Sequence, residues 1–201
     1  MIVDSKNLTP KQHYFMMAST VIPRPIAWVS TKGSDGSCNL APFSFFNAVT
    51  TDPPLLSICI GNKENGEHKD TLRNLLETKE CIVHIIDESL ADAMTASAEA
   101  LPYGECETQK IGLATQKAKM VDIPLISDYK VAYECRLYQH DTIGNKPMNI
   151  VFVEILCYHI VDKAYSEGRV DESSLGALGR LGGKKYIKFS PENIFEKQDN
   201  R

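Results

Sequence analysis

The stretch PRPIAWVSTKGSDGSCNLAPFSFFNAVTTDPP, Pro23 to Pro54, constrains the fold more than any other part of this chain. A proline has no N–H to give to a sheet ladder, so prolines at 23, 25, 42, 53 and 54 set where strands run and where they must turn. Between them, Ile26–Thr31 and Ala41–Val49 read as strands. The two glycines of STKGSDGSCN, one in an Asp-Gly pair, make a hairpin the natural connection, and TDPP forces the next turn. A period of two puts Ile26, Trp28 and Ser30 on one face and Ala27, Val29 and Thr31 on the other, so the first strand ends in hydroxyls pointing to opposite sides. Pro42 opens a gap in the ladder of the second strand, close to Ser44 and Asn47 and among Phe43, Phe45 and Phe46. Free backbone groups beside aromatic walls suit a planar heterocycle; the plainer alternative is a barrel hairpin with core aromatics and solvated hydroxyls.

Further strands are expected at Leu55–Ile60, Glu80–Ile86, Val131–Gln139 and Asn149–Val161, each rich in Val, Ile, Tyr or Cys and bounded by turn signals. A short helix follows the polar loop GNKENGEHKD, with Leu72, Leu75 and Leu76 on one face and Asp70 or Thr71 as N-cap. A second helix is expected from Asp87–Ser89 to the Pro102–Gly104 break. Residues 104–127 read as loop with short elements, and GALGRLGGKKYIKFS as a glycine-rich crossing into an alternating strand. Many strands with helices inserted, and no regular alternation of the two, predict a mainly β antiparallel barrel in a single domain over residues 1–201. GRLGG is not a dinucleotide fingerprint and comes too late in the chain to open such a unit.

HKDT, His68 to Thr71, lies at the mouth of the first helix. Free N–H groups there, with the ammonium of Lys69 and the hydroxyl of Thr71, make a phosphate seat; simple capping beside a solvated lysine is the alternative. A phosphate seat, an aromatic slot and a ladder gap together suit a phosphorylated planar cofactor. The formal net charge is -4, which makes local cations matter for such a ligand and gives no reason to expect nucleic acid.

RPIAWVSTKGSDGSCNLAPFSFFNAVTTDPPLLSICIG and KDTLRNLLETKECIVHI, followed by PLISDYKVAYECRLYQH, NIVFVEILCYHIVD and LGRLGGKKY, resemble the flavin reductase-like family with the FMN-binding split barrel, the flavoredoxin type. The resemblance runs from Tyr14 to Phe189. It implies a split β-barrel that binds FMN near the interface of a homodimer, takes electrons from NAD(P)H and hands them to an acceptor, for which a redox partner protein is one candidate. Carried over residue by residue, Ser30 and Thr31 match the hydroxyls beside the ribityl phosphate and Asn39 the polar residue across the turn. Ala41, Pro42, Phe43, Ser44, Phe45, Phe46 and Asn47 match the stretch that lines the isoalloxazine. Lys69 and Thr71 match the phosphate and ribityl contacts, and Trp28 a residue flanking the flavin or sitting in the barrel. Arg24, Arg180 and Tyr186 fit the pocket rim. The resemblance names no certain catalytic side chain. Where many members carry a glycine, this chain has Val153 before Glu154 and Ile155, which bears on the shape of that wall.

The six cysteines are scattered without a CxxC, which fits reduced, individually buried thiols and no metal centre. Cys157 and His159 share a strand face but fall short of a closed zinc site, Cys81 and His84 have odd spacing for a nucleophile pair, and His140 reads as a strand-end histidine. The acidic stretch at Glu105 and Glu107 reads as a solvated loop. With no basic N-terminal region leading into an apolar core and no long apolar run, a cytoplasmic protein that does not enter a membrane is expected. Two other functions compete with the oxidoreductase: a non-catalytic flavin-binding module, and a cysteine or metal hydrolase.

Overall fold

A computed structural model describes residues 1–194; the single-domain expectation also covers 195–201, which lie outside the described residues. Seven strands form one antiparallel sheet: β1 Ala27–Lys32, β2 Cys38–Phe43, β3 Phe46–Thr51, β4 Pro54–Gly61, β5 Glu80–Ile85, β6 Val131–Ile143 and β7 Met148–Ile160. Their order is β2-β1-β5-β6-β7-β4-β3. The two edge strands, β2 and β3, are joined in the chain by Ser44 and Phe45 alone, yet they do not pair. The sheet curls so that side chains from every strand, among them Val29, Phe43, Phe46, Ile58, Val83, Cys135 and Val151, meet in one core. This is the mainly β split barrel with inserted helices, open along the seam between β2 and β3.

The β1–β2 hairpin has the expected Asp-Gly turn, with Gly36 at φ 87°, a left-handed backbone that a side chain would strain. The run expected as one strand, Ala41–Val49, is instead two, broken at Ser44. Phe43 pairs with Ala27 on one edge of the sheet and Phe46 with Ile58 on the other, and both rings enter the same core. The apolar run therefore continues through a corner that composition does not mark.

Helix α1 (Pro10–Thr20) has no counterpart in the sequence reading. Thr9 and Gln12 cap it reciprocally, with the Thr9 N–H donating to Gln12 Oε1 at 2.9 Å and the Gln12 N–H to Thr9 Oγ1 at 3.3 Å. Of its side chains only Ala18 is buried, so it carries no core-facing period to find. Helix α2 (Asp70–Thr78) plugs one end of the barrel with Leu72 and Leu75, both fully buried in the barrel core and each contributing about 1.5–3 kcal/mol. Its N-cap is Lys69, not Asp70 or Thr71. Asp70 pairs with the Lys63 ammonium at 2.7 Å and the Thr71 hydroxyl accepts from Asn39 at 2.8 Å, so neither side chain turns back to cap.

The outer face of β1 is also covered. Ile26 and Trp28 pack in a second cluster with Leu40, Ile86, Leu90 and Met94, beneath helix α3 (Ala91–Ala96). The helix expected from Asp87 to Pro102 is only a 3-10 turn, Glu88–Leu90, followed by α3. It stops where the Ser97 hydroxyl donates to the Met94 carbonyl at 2.8 Å and accepts the Trp28 indole N–H at 2.7 Å. Residues 104–127 hold helix α4 (Glu107–Lys110) and a ribbon of Thr115–Lys117 with Pro124–Ile126. The glycine-rich segment forms a hairpin, Leu178–Arg180 with Tyr186–Lys188, whose first strand also pairs with Arg24–Pro25. Among the described residues no helix is long and apolar enough to cross a membrane.

His84 locks the outer layer to the barrel. Its Nε2 accepts the Ile126 N–H at 3.2 Å, so the proton sits on Nδ1, which lies 3.1 Å from the Trp28 carbonyl. Cys81 faces the barrel core and His84 the opposite side, which excludes a Cys-His nucleophile pair. Burial drives the His84 pKa down to about 4. A histidine held neutral by folding contributes stability that is complete above its unfolded value near 6.5 and lost as pH falls toward 4. Urea unfolding should therefore show this group removing about 2 kcal/mol between pH 7 and pH 5. In His84→Gln that part of the slope should vanish, and an unchanged slope would assign the acid sensitivity to other groups.

Candidate functional site

The unpaired edge of β2 fronts two neighbouring cavities. The larger, about 580 Å³, lies between Pro42, Phe43 and Ser44 on one side and Tyr14, Phe15, Met94, Arg180 and Tyr186 on the others. The smaller, about 330 Å³, shares Pro42, Phe43 and Ala98 with it and continues to Asn39, Ala41, Lys63, Lys69, Asp70, Thr71 and Glu107. A third, about 430 Å³, opens on the far side of Arg24 and is lined by Ser44, Phe45, Phe46 and Asn47 with Met17, Val21 and Pro23.

The smaller cavity has the chemistry of an anion seat. No side chain caps the start of α2, so its first-turn N–H groups face outward without a side-chain acceptor. Because Thr71 Oγ1 accepts the Asn39 amide, the Thr71 hydroxyl proton is free to donate. Lys63 is neutralised by Asp70, whereas Lys69 has no ion-pair partner among the described residues; its ammonium lies 5.9 Å from the Phe43 ring centroid. The larger cavity adds aromatic walls and three cations, Arg24, Arg180 and Lys184. Arg180 donates to the Tyr186 hydroxyl and to the Gly183 carbonyl, and its guanidinium stands 4.6 Å from the Tyr186 ring centroid. A phosphate in the first cavity and a planar ring in the second fit this donor set.

Of the residues read from the sequence, Asn39, Ala41, Pro42, Phe43, Ser44, Lys69 and Thr71 come together along these two cavities, and Arg24, Arg180 and Tyr186 border the larger one. Phe45, Phe46 and Asn47 line the third. Trp28, Ser30 and Thr31 line none of the three. Trp28 is fully buried in the outer cluster. Ser30 points to the same outer side, opposite Leu40 and Ile82, with its buried hydroxyl oxygen unpartnered. Thr31 faces inward as expected and accepts from the Asn74 amide at 3.3 Å, so it touches the site only through α2. Val153 is fully buried in the barrel core and borders none of these cavities, so its departure from glycine leaves their walls unchanged. His140 sits near the end of β6, its Nε2 3.1 Å from Asn149 Oδ1. No disulfide forms among the cysteines; Cys81, Cys106 and Cys135 are buried, while Cys38, Cys59 and Cys157 are half-buried.

Sequence reasoning missed Tyr14, Phe15, Lys63, Met94 and Lys184 among the lining residues, and it misread Glu107. Glu107 is not in a solvated loop: it is 7% exposed, lines the anion seat, and accepts the outward N–H of Leu40 at 2.8 Å. Burial raises its pKa, against the lowering effect of that N–H. Two residues further along the same edge, Pro42 has no N–H to satisfy. The acidic pattern alone carried no sign that a strand edge would need an acceptor at this point.

A family model described as "Flavin reductase like domain" matches residues 17–174. An uncharacterized protein of Aquifex aeolicus is 39% identical over 176 residues, covering 87% of this chain and 89% of that one. Among solved structures, nitrilotriacetate monooxygenase component B from Bacillus cereus superposes with a TM-score of 0.93 at 31% identity, covering 98% of both chains. The 2-nitrobenzoate 2-nitroreductase NbaA of Pseudomonas fluorescens gives a TM-score of 0.90 at 30% identity, covering 100% of this chain and 97% of that one.

Removing the Glu107 carboxylate leaves the Leu40 N–H without its acceptor. Glu107→Ala should lower unfolding stability by about 1–3 kcal/mol in urea, while Glu107→Gln, which keeps an acceptor oxygen, recovers most of it. Equal midpoints for Glu107→Ala and the parent chain would show that water satisfies that edge.

Proposed function

Because the chain belongs to the flavin reductase like family, matched over residues 17–174, we propose that it is an FMN-dependent oxidoreductase. On this reading it is an NAD(P)H:flavin reductase or a flavoredoxin-like electron-transfer flavoprotein, and it works in the cytoplasm as a homodimer. One observation carries the reading: Lys69, without an ion-pair partner among the described residues, and a Thr71 hydroxyl whose oxygen is already an acceptor stand at the uncapped start of α2, in a cavity that shares Pro42 and Phe43 with an aromatic chamber.

A phosphomonoester carries close to two negative charges at neutral pH. Lys69, the Thr71 hydroxyl and the α2 N–H groups supply the compensating donors, and Asn39 orients Thr71 by donating to its oxygen. Pro42 and Phe43, common to both cavities, would lie along a ligand that spans seat and chamber, and Ser44 and Tyr186 would be available to its ring. FMN held by Lys69, Thr71 and the start of α2 would supply the chemistry of carrying a hydride's electrons from a reduced nicotinamide to an acceptor. The chain's part would be to hold the two rings in register, which needs no acid-base pair. The likeness to a monooxygenase component and to a nitroreductase favours an acceptor outside this chain, either a partner protein or a small molecule. In favour of a homodimer, Tyr14, Phe15, Met16 and Met17 of α1 are 45–53% exposed beside the chamber, an apolar surface that a second copy would cover.

Anaerobic titration with FMN, then NADH and NADPH, tests the function through the flavin absorbance: bleaching is expected, and the faster donor identifies the nicotinamide. FMN that binds but stays oxidised would make the chain a binding module or a carrier reduced by another protein. Lys69→Ala should raise the FMN Kd roughly 10-fold or more, the loss of one charge-assisted contact. An unchanged Kd would remove Lys69 from the phosphate seat.

A further inference from the structure

On the sheet face away from the barrel core, three ligand-bearing side chains of β6 and β7 converge. Cys157 is paired directly with Glu134 across the ladder, next to a bulge between Ile155 and Cys157, and His159 is two residues further along the same strand. Direct and diagonal partners on one face bring side chains within reach of each other. The Cys157 sulfur, a His159 ring nitrogen and a Glu134 carboxylate oxygen all lie within 4.8 Å of one another. We propose that this cluster is a divalent-metal site of the zinc class, with one sulfur, one nitrogen and one oxygen ligand and a fourth position open to solvent.

The surroundings of each ligand support this. Glu134 is fully buried, and its carboxylate is held by the N–H groups of Lys119 at 2.8 Å, Met120 at 2.5 Å and Val121 at 3.0 Å. Hydrogen-bonded carboxylates of this kind are what metal sites use to fix a ligand. His159 Nε2 lies 2.5 Å from Glu134 Oε1, and its Nδ1 lies 3.4 Å from the Tyr129 hydroxyl. In the metal-free chain a proton bridges Nε2 and the carboxylate; a cation would take the place of that proton, with the ring N–H then on Nδ1 and directed to the Tyr129 hydroxyl. Cys157 and His159 are half-buried, which leaves a path for the ion to enter. The thiolate and imidazole favour zinc-class ions over magnesium or calcium.

Zinc bonds of about 2.0–2.3 Å require the His159–Glu134 pair to open by roughly 1 Å, a shift that the partly exposed ring can make. Binding takes the Cys157 thiol proton, and any proton shared between His159 and Glu134, into solvent, so metal uptake releases acid. None of these residues lines the three cavities around β2, so the site stands independently of the flavin reading.

The test is equilibrium dialysis of the full chain against Zn(II), with Co(II) as the spectroscopic substitute. One equivalent per chain is expected, with a thiolate-to-cobalt charge-transfer band in the near ultraviolet. Cys157→Ser should abolish the band, and Cys157→Ser and His159→Ala should each weaken Zn(II) binding roughly 10-fold or more. Cys157→Ser should keep the metal-free thermal unfolding curve of the parent chain, whereas His159→Ala also loses the hydrogen bond to Glu134 and the edge contact with Tyr129, so its binding is read well below its own, lower, unfolding midpoint; Glu134 is left in place because it also holds the 119–121 turn. Failure to bind one equivalent would overturn the proposal and leave an ordinary histidine–carboxylate hydrogen bond. Binding unaffected by either substitution, or by one of the two, would equally overturn it by placing the metal elsewhere.

Discussion

The site depends first on the way Arg24 is held. Its guanidinium is buried without a carboxylate partner among the described residues. It donates instead to the carbonyls of Ala18 at 2.6 Å and Val21 at 2.8 Å at the end of α1, to Leu181 at 3.2 Å, and toward Ser44 at 3.5 Å. The last carbonyls of a helix carry partial negative charge, so the end of α1 serves as a diffuse counter-ion. A planar group with five donors can tie three remote segments at once, and a lysine ammonium in the same place could not. The helix, the glycine-rich hairpin and the corner between β2 and β3 thereby become one wall, shared by the larger of the two cavities along β2 and the third one.

The open seam places opposing demands on β2. An edge strand with free N–H groups invites pairing with another chain, yet the same edge must stay clear for a ligand. The protein meets both demands locally. Glu107 covers the N–H of Leu40, Pro42 lacks one, and the chain then turns away at Ser44. A carboxylate inside an anion seat is unfavourable to the anion, and the compensating charge falls to Lys69, since Lys63 is already committed to Asp70.

What could be read in advance was what depends on local pattern. The hairpin, the alternation that sends Ser30 and Thr31 to opposite sides, the leucine face of α2 and most strands follow from periods of two and 3.6 and from turn residues. The break at Ser44 was hidden because Phe43 and Phe46 belong to the same core although they lie on opposite edges of the sheet. Helix α1 was hidden because its apolar side chains are exposed, so burial imposes no period on them. Trp28 reads equally well as a wall of the site or as core; its indole N–H found Ser97, sixty-nine residues away, which no spacing rule foretells. Glu107 is acidic in polar sequence surroundings and Glu134 interrupts an apolar strand, and only the folded chain shows that each is an acceptor for backbone groups brought from elsewhere.

Helix α2 does two jobs from interleaved positions. Its first turn presents Lys69, Thr71 and free N–H groups to the seat, while Leu72 and Leu75 close the barrel core. Any ligand that engages the first turn therefore also holds the plug in place, by the mass-action link between binding and folding. The empty chain is then the less stable form, the one whose barrel end opens more often to a protease.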